Sequence, residues 1–250
     1  MTLRIASFSA FLLLASGPAA ASDPDVGGPV FDSGAGRVAL IELYTSEGCS
    51  SCPPADRWLS GLKADPGLWR DFVPLAFHVD YWDYIGWRDR FAQPEYSQRQ
   101  RRYAAEGGVP TVYTPGLVKD GREWRGWNRD DSPEPDKTQV GDLSVELEGD
   151  TAMIHFDPLT DAPGELTANV AILGMNLTSA VTAGENDGRT LHHDFVVLSL
   201  VSRPLFRDDH GFSAAVPLDV RALRSGQAAL AAWVSETGHQ GAVQAVGGFL

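Results

Sequence analysis

Sulfur is scarce in this chain. Its 250 residues hold two cysteines and three methionines. Two cysteines cannot build the multi-bridge framework that staples a small secreted domain, so stability has to come from a hydrophobic core. Positive charge is also in short supply. Twenty Lys and Arg stand against 33 Asp and Glu, a formal net charge of −13. That balance argues against nucleic acid and anionic membranes as partners, and favours solubility. Long apolar runs are missing too. The most apolar stretch, Ile5 to Ala15, falls short of the roughly 20 residues that span a bilayer. There is no second Cys-x-x-Cys and no His-x-x-x-His, so no metal site is expected.

What is present begins with an export signal over residues 1–21. Arg4 is its lone positive charge, Pro18 breaks the apolar stretch, and Ala19-Ala20-Ala21 supplies a small-residue cleavage pattern before Ser22. A periplasmic or secreted protein is expected, with no membrane insertion once the signal is removed. Residues 22–36, rich in Gly, Pro and Asp, read as a flexible lead-in.

Residues 37–139 are expected to form a first domain that ends in a linker. Val38 to Tyr44 is a near-continuous apolar run, as for a strand buried on both faces. Ala55, Trp58, Leu59 and Leu62 recur at helical spacing. Phe72 to Val79 predicts a second strand, and Pro94 the start of a helix through Glu106. Val112 to Lys119 and Glu123 to Trp127 predict a hairpin around Asp120-Gly121. Read in order, these elements are β-α-β-α-β-β, the α/β thioredoxin-like pattern with a central mixed sheet. Residues 140–250 change character. Alternation at Leu143, Val145, Leu147, at Ala152, Ile154, Phe156 and at two later segments, with Ala228 to Ser235 and Ala242 to Val246 as further strand candidates, predicts a second, all-β antiparallel sandwich-like domain.

Both cysteines fall in one motif, Gly48-Cys49-Ser50-Ser51-Cys52-Pro53, directly after the first strand. All the thiols of a chain placed in one Cys-x-x-Cys at a strand-to-helix junction point to thiol–disulfide chemistry. Cys49 falls where a helix would begin and where backbone N–H groups favour a thiolate. It is the candidate nucleophile and Cys52 the resolving thiol. Pro53-Pro54 works against a regular helix starting at Cys49. Glu42, a carboxylate within the buried strand, is the candidate proton shuttle. Thr114-Pro115 is a candidate cis-proline that shapes the groove, with Pro110 as its rival; the spacing to Asp120-Gly121 favours Pro115. Ser50, Ser51, Thr114, His78, Asp80, Trp82 and Asp83 are candidates for the substrate groove. Arg99, Arg101 and Arg102 read as a solvated helix face. Gly184 to Arg189 reads as a polar turn, and His192-His193 as surface histidines that point to opposite sides of a strand.

These residues resemble domain-of-unknown-function family 1223, a group of uncharacterised secreted bacterial proteins classed with thioredoxin-like folds. The resemblance rests on Glu42-Leu43-Tyr44-Thr45-Ser46-Glu47-Gly48-Cys49-Ser50-Ser51-Cys52-Pro53-Pro54-Ala55-Asp56 and on His78-Val79-Asp80-Tyr81-Trp82-Asp83. Gly86-Trp87, Arg99-Gln100 with Tyr103, Val112-Tyr113-Thr114-Pro115, and Gly184-Glu185-Asn186 with Gly188 and Leu191 extend it. It implies a fold and a thiol site but no substrate. The expected function is thiol–disulfide exchange with protein or small-molecule thiols and disulfides, with no cofactor beyond the Cys49–Cys52 disulfide. The alternative is a non-catalytic envelope binding or metal-handling protein.

Overall fold

The computed structural model describes residues 28–129, 131–160, 164–219, 221–222 and 226–250. The expected signal, residues 1–21, lies outside them. The strands are β1 (Val30–Asp32), β2 (Ala39–Thr45), β3 (Phe72–His78), β4 (Gly116–Lys119), β5 (Arg122–Glu123), β6 (Gly141–Glu148), β7 (Thr151–Pro158) and β8 (Leu166–Gly174). They continue with β9 (Leu177–Ala180), β10 (Thr190–His193), β11 (Val196–Pro204), β12 (Phe206–Asp208), β13 (Gly211–Pro217), β14 (Ala228–Glu236) and β15 (Ala242–Phe249). The described residues contain two α-helices, α1 (Pro53–Gly61) between β2 and β3 and α2 (Pro94–Ala105) between β3 and β4.

The expected α/β thioredoxin-like domain followed by a separate all-β sandwich is not what forms. The described chain is mostly β, and its strands do not divide at residue 140. One eight-stranded sheet runs β15-β14-β8-β11-β3-β2-β4-β5. Here β11 lies parallel to β3, with Val196 opposite Ala76, and antiparallel to β8. The physical reason is that β3 has a second edge. With β2 on one side, its other row of backbone N–H and C=O groups would be left unpaired in the interior, and β11 pairs with it at Ala76. Ala76 N–H donates to Phe195 O at 2.8 Å.

Period-two alternation makes that sheet a wall between two cores. On β14, Leu230, Ala232 and Val234 pack with Phe156, Ile172 and Val216. Ala229, Ala231 and Trp233 face the opposite way, into the core with Tyr44, Phe77 and Tyr103. A five-stranded antiparallel sheet, β1-β6-β7-β13-β12, covers the first of these faces. The expected flexible lead-in is corrected in part, because Val30–Asp32 pairs with β6 at that sheet's edge. The long sheet curls until β15 returns to the start of β2. Val38 N–H donates to Gln244 Oε1 at 2.9 Å, and Arg37 to Ala242 O at 2.8 Å. Asp120 and Gly121, both at positive φ (49° and 85°), turn β4 into β5 as a two-residue primed turn requires.

Candidate functional site: the disulfide loop and the polar cluster behind it

The end of β2 delivers the chain into a tight loop. Cys49 N–H donates to Ser46 O and Cys52 N–H to Cys49 O, both at 3.2 Å. Cys49 and Cys52 form a disulfide with Cα atoms 5.5 Å apart. Both are fully buried, at 0% exposure, while Ser50 and Ser51 face solvent. Ser51 Oγ lies 3.3 Å from Cys49 Sγ. The helix begins at Pro53, not at Cys49, and Cys52 is its N-cap residue with an αR backbone. The two prolines decide this. At the first positions of a helix their missing N–H groups cost nothing, whereas one turn earlier the cysteine loop already uses its own turn bonds. The helix terminus therefore sits at Cys52, three residues past the expected nucleophile.

A strap from the far end of the sequence covers this loop. Residues Gly184–Asn186 form a 3₁₀ turn between β9 and β10. Asn186, fully buried, donates from Nδ2 to Glu47 O (2.8 Å) and to Cys49 O (3.0 Å). Glu185 Oε2 accepts from Ser50 N–H at 3.0 Å. Arg189 donates to Asn186 Oδ1 at 2.6 Å and fixes the amide's orientation. By sequence this segment reads as a polar turn. The motif Gly-Glu-Asn was visible, but nothing local said that it lies against the cysteines.

On another side, Trp82 links the loop to the proline. A Cβ on Gly48 would lie 3.1 Å from Trp82 Cβ. The indole Nε1 donates to Thr114 Oγ1 at 2.7 Å, and Thr114–Pro115 is the cis peptide bond of the described residues. Tyr81 bonds Gln100 Oε1, and Gln100 in turn donates to Tyr113 O. Thus Trp82, Thr114 and Pro115 come together near the cysteine loop. Asp80 and Asp83 do not project into it. Asp80 accepts from Ser97 Oγ at 2.5 Å, and Asp83 accepts from Asp89 N–H at 3.2 Å. Tyr84, 83% exposed, is the solvent-facing aromatic of this segment.

Two expected roles are corrected. Glu42 is committed elsewhere. Its carboxylate accepts from Arg99 Nε (2.7 Å) and Nη2 (3.0 Å), from Tyr44 OH (2.8 Å) and from Tyr103 OH (2.5 Å). Strand alternation is the reason. Glu42 and Tyr44 share the face of β2 covered by α2, whereas Thr45 has the opposite parity and faces Asp56 of α1. Nor is Arg99 on a solvated face: it is 5% exposed, with its guanidinium 5.2 Å from the Trp233 ring centroid. Burial raises the phenols of Tyr44 and Tyr103 well above their ordinary values, and the Glu42 charge adds to this.

His78 also leaves the expected groove. It is fully buried, and its Nδ1 lies 2.6 Å from Asp89 Oδ2. Asp89 Oδ2 also accepts from Glu47 N–H. Burial opposes both charges of this pair, but their mutual attraction prevails: the imidazole is raised and the carboxyl lowered. His193, expected at the surface, is 2% exposed. The alternation itself holds, since His192 faces solvent. The His193 ring stands 4.9 Å from that of His78, and its Nε2 lies 3.4 Å from Glu47 Oε1. Glu47 also accepts from Trp87 Nε1 at 2.8 Å. Its carboxyl is lowered although burial opposes this, with His193 the largest favourable influence. Asp56 completes the group. Burial raises its carboxyl, against the pull of His193 and His78. Among the described residues no three His, Cys, Asp or Glu side chains converge in a geometry that would hold a metal ion.

A family model described as "Protein of unknown function (DUF1223)" matches residues 40–235. No curated protein matches the chain. Two solved structures are similar to it. Protein AGR_C_4864 from Agrobacterium tumefaciens is 25% identical, with a TM-score of 0.60, covering 84% of this chain and 94% of its own. HBP35 of Porphyromonas gingivalis is 15% identical, with a TM-score of 0.59, covering 86% of this chain and 76% of its own, a likeness of fold alone.

Proposed function

The chain belongs to the DUF1223 family of proteins of unknown function, and we propose that it is an exported thiol–disulfide oxidoreductase whose working group is the Cys49–Cys52 pair. The observation that carries this reading is the placement of the pair. It closes a three-residue separation at the junction of a buried strand and a helix, with Cys52 at the helix terminus. So short a loop adds little stability on the chain-entropy account, which leaves redox chemistry as the better use of it. In the reduced form, Cys49 attacks a substrate disulfide as its thiolate. A Cys49–substrate disulfide forms and the leaving sulfur departs as a thiolate. Cys52 then attacks Cys49 Sγ, restores the intramolecular disulfide and releases the second substrate sulfur. Run backwards, the same steps donate a disulfide. Trp82, Thr114 and Pro115 form the wall against which a protein or small-molecule thiol would lie.

Replacing Cys52 with Ser tests this. The Cys52→Ser protein should trap mixed disulfides through Cys49, seen as a mass increase that a reductant removes. A wild-type protein that neither reduces nor oxidises model disulfides, together with an untrapped variant, would overturn the reading. Burial of both sulfurs favours a second one, an inert disulfide in a binding protein. In that case replacing both cysteines with Ser would leave function intact.

A further inference from the structure

Ten buried side-chain polar atoms among the described residues make no hydrogen bond of good geometry, and six of them belong to one group. They are Thr45 Oγ1, Glu47 Oε1, His78 Nε2, Ser179 Oγ and both ring nitrogens of His193; His193 Nε2 and Glu47 Oε1 lie 3.4 Å apart, and Thr45 and Ser179 interact with Asp56 and Glu47. A buried polar atom without a well-placed partner is costly to the fold. An apolar replacement would remove that cost, so a concentration of them in one place calls for an explanation. The group is knit together by the His78–Asp89 pair, the His78–His193 ring contact and the Glu47–His193 approach.

Its position supplies the explanation. Asp56 follows Cys52 by one helical turn, and its N–H donates to Cys52 O at 3.1 Å. Residues four apart share a helix face, and both of these side chains are buried. On its other side Asp56 interacts with His193 and His78. A cleft of about 110 Å³, lined by Pro53, Asp56, Arg57, Leu191, His192 and His193 among others, opens between α1 and β10. It reaches Asp56 and His193 and is bordered by Pro53, the residue after Cys52.

We infer that Asp56, backed by His193 and the His78–Asp89 pair, is the proton acceptor for Cys52. This rests on the exchange reading above. In the closing step the Cys52 thiol gives its proton to the Asp56 carboxylate as its sulfur attacks Cys49 Sγ. The Cys49–substrate bond breaks, the Cys49–Cys52 bond forms, and the substrate sulfur leaves as a thiolate. The proton then passes to solvent through the imidazoles and the cleft. In the reverse direction the same carboxyl returns it to the departing Cys52 thiolate. The charged and titratable groups facing this route are Glu47 from the cysteine loop, Asp56 and Arg57 from α1, and His78 from β3. Asp89 lies before α2, His192 and His193 are on β10, and Arg189 belongs to the strap.

The test separates the two steps of exchange. Reduced full-length protein is mixed with oxidised glutathione, quenched in acid and analysed by mass, for wild type, Asp56→Asn and His193→Gln. Far-UV circular dichroism of each variant establishes folding. At pH 7 the mixed disulfide should form at the wild-type rate in both variants and close at least about tenfold more slowly, so that it accumulates. As the pH rises towards 10, hydroxide deprotonates Cys52 directly and the closing rates should converge. A merely structural role would not produce that convergence. Closure at the wild-type rate at pH 7, or slow closure that persists at pH 10, overturns the proposal. So does stoichiometric zinc or copper that is bound by wild type and lost on His78→Gln, because the unpartnered atoms would then be ligands. If wild type forms no mixed disulfide at all, the exchange reading itself fails, and that result is distinct from a defect confined to closure.

Discussion

Replacing Arg99 with Met should destabilise the protein severely, and the structure says by how much. Arg99 is 5% exposed and sends two guanidinium nitrogens to Glu42, which is 1% exposed. A third nitrogen donates to Gln240 Oε1 at 2.8 Å. Met matches much of the length and volume of the arginine stem but leaves the Glu42 charge uncompensated. Breaking a buried pair in this way costs about 3–5 kcal/mol. Tyr44 and Tyr103 would still donate to Glu42, which places the loss at the lower end, about 3 kcal/mol. For a chain of this size that corresponds to a fall in Tm of about 6–12 °C. The assay is urea and thermal unfolding of wild type, Arg99→Met, and the double variant Glu42→Gln with Arg99→Met. The double variant removes the stranded charge and keeps an acceptor for both phenols, so it should recover more than half of the loss. A single-variant cost below about 1 kcal/mol, the exposed-pair value, would refute the reasoning. So would a double variant no more stable than the single one.

Two further outcomes are expected. A fragment ending at residue 139 should fail to fold, because β3 would lose β11 and the core around Tyr44 would lose Trp233, Ala229 and Ala231. A soluble fragment with a cooperative melt would contradict the shared sheet. The His78–Asp89 pair should give wild type a bell-shaped stability profile. Asp89 is lowered, so its contribution is present above the ordinary carboxyl value and lost as pH falls through the lowered one. His78 is raised, so its contribution is full below the ordinary imidazole value and lost as pH rises through the raised one. Asp89→Asn should cost about 3 kcal/mol at pH 6 and flatten both arms. A wild-type profile already flat from pH 3 to 9 would sink this account.

The sequence carries some of this structure openly. Alternation marks β6, β7, β8, β13 and β14, because each buries every second residue in one core. It is weak on β11, where Leu198 to Val201 are all only half-buried. The join between β11 and β3 is a long-range edge pairing with no local signature, and it is what overturns a two-domain division. At the site, the cysteine pair was legible because only two thiols exist. The environment of Glu42 was not, since Arg99 reaches it from 57 residues away. A cue was nonetheless present in α2. Tyr96, Arg99, Gln100 and Tyr103 fall at i, i+3, i+4 and i+7, the spacing of a buried face, although two of the four are polar. His193 and Asp56 similarly carried spacing cues, one by strand parity with His192 and one by a helical turn from Cys52.

The strap over the cysteines sets an order of events during folding. Asn186 and Glu185 hold residues 47–50 from more than 130 positions further along the chain. Until the last third of the protein has been made and β9 has paired with β10, the segment that covers Cys49 does not exist. Before then the cysteine loop lacks the hydrogen bonds that Asn186 and Glu185 give it. Any thiol that exchanges with the Cys49–Cys52 pair of the finished protein must therefore first displace this strap.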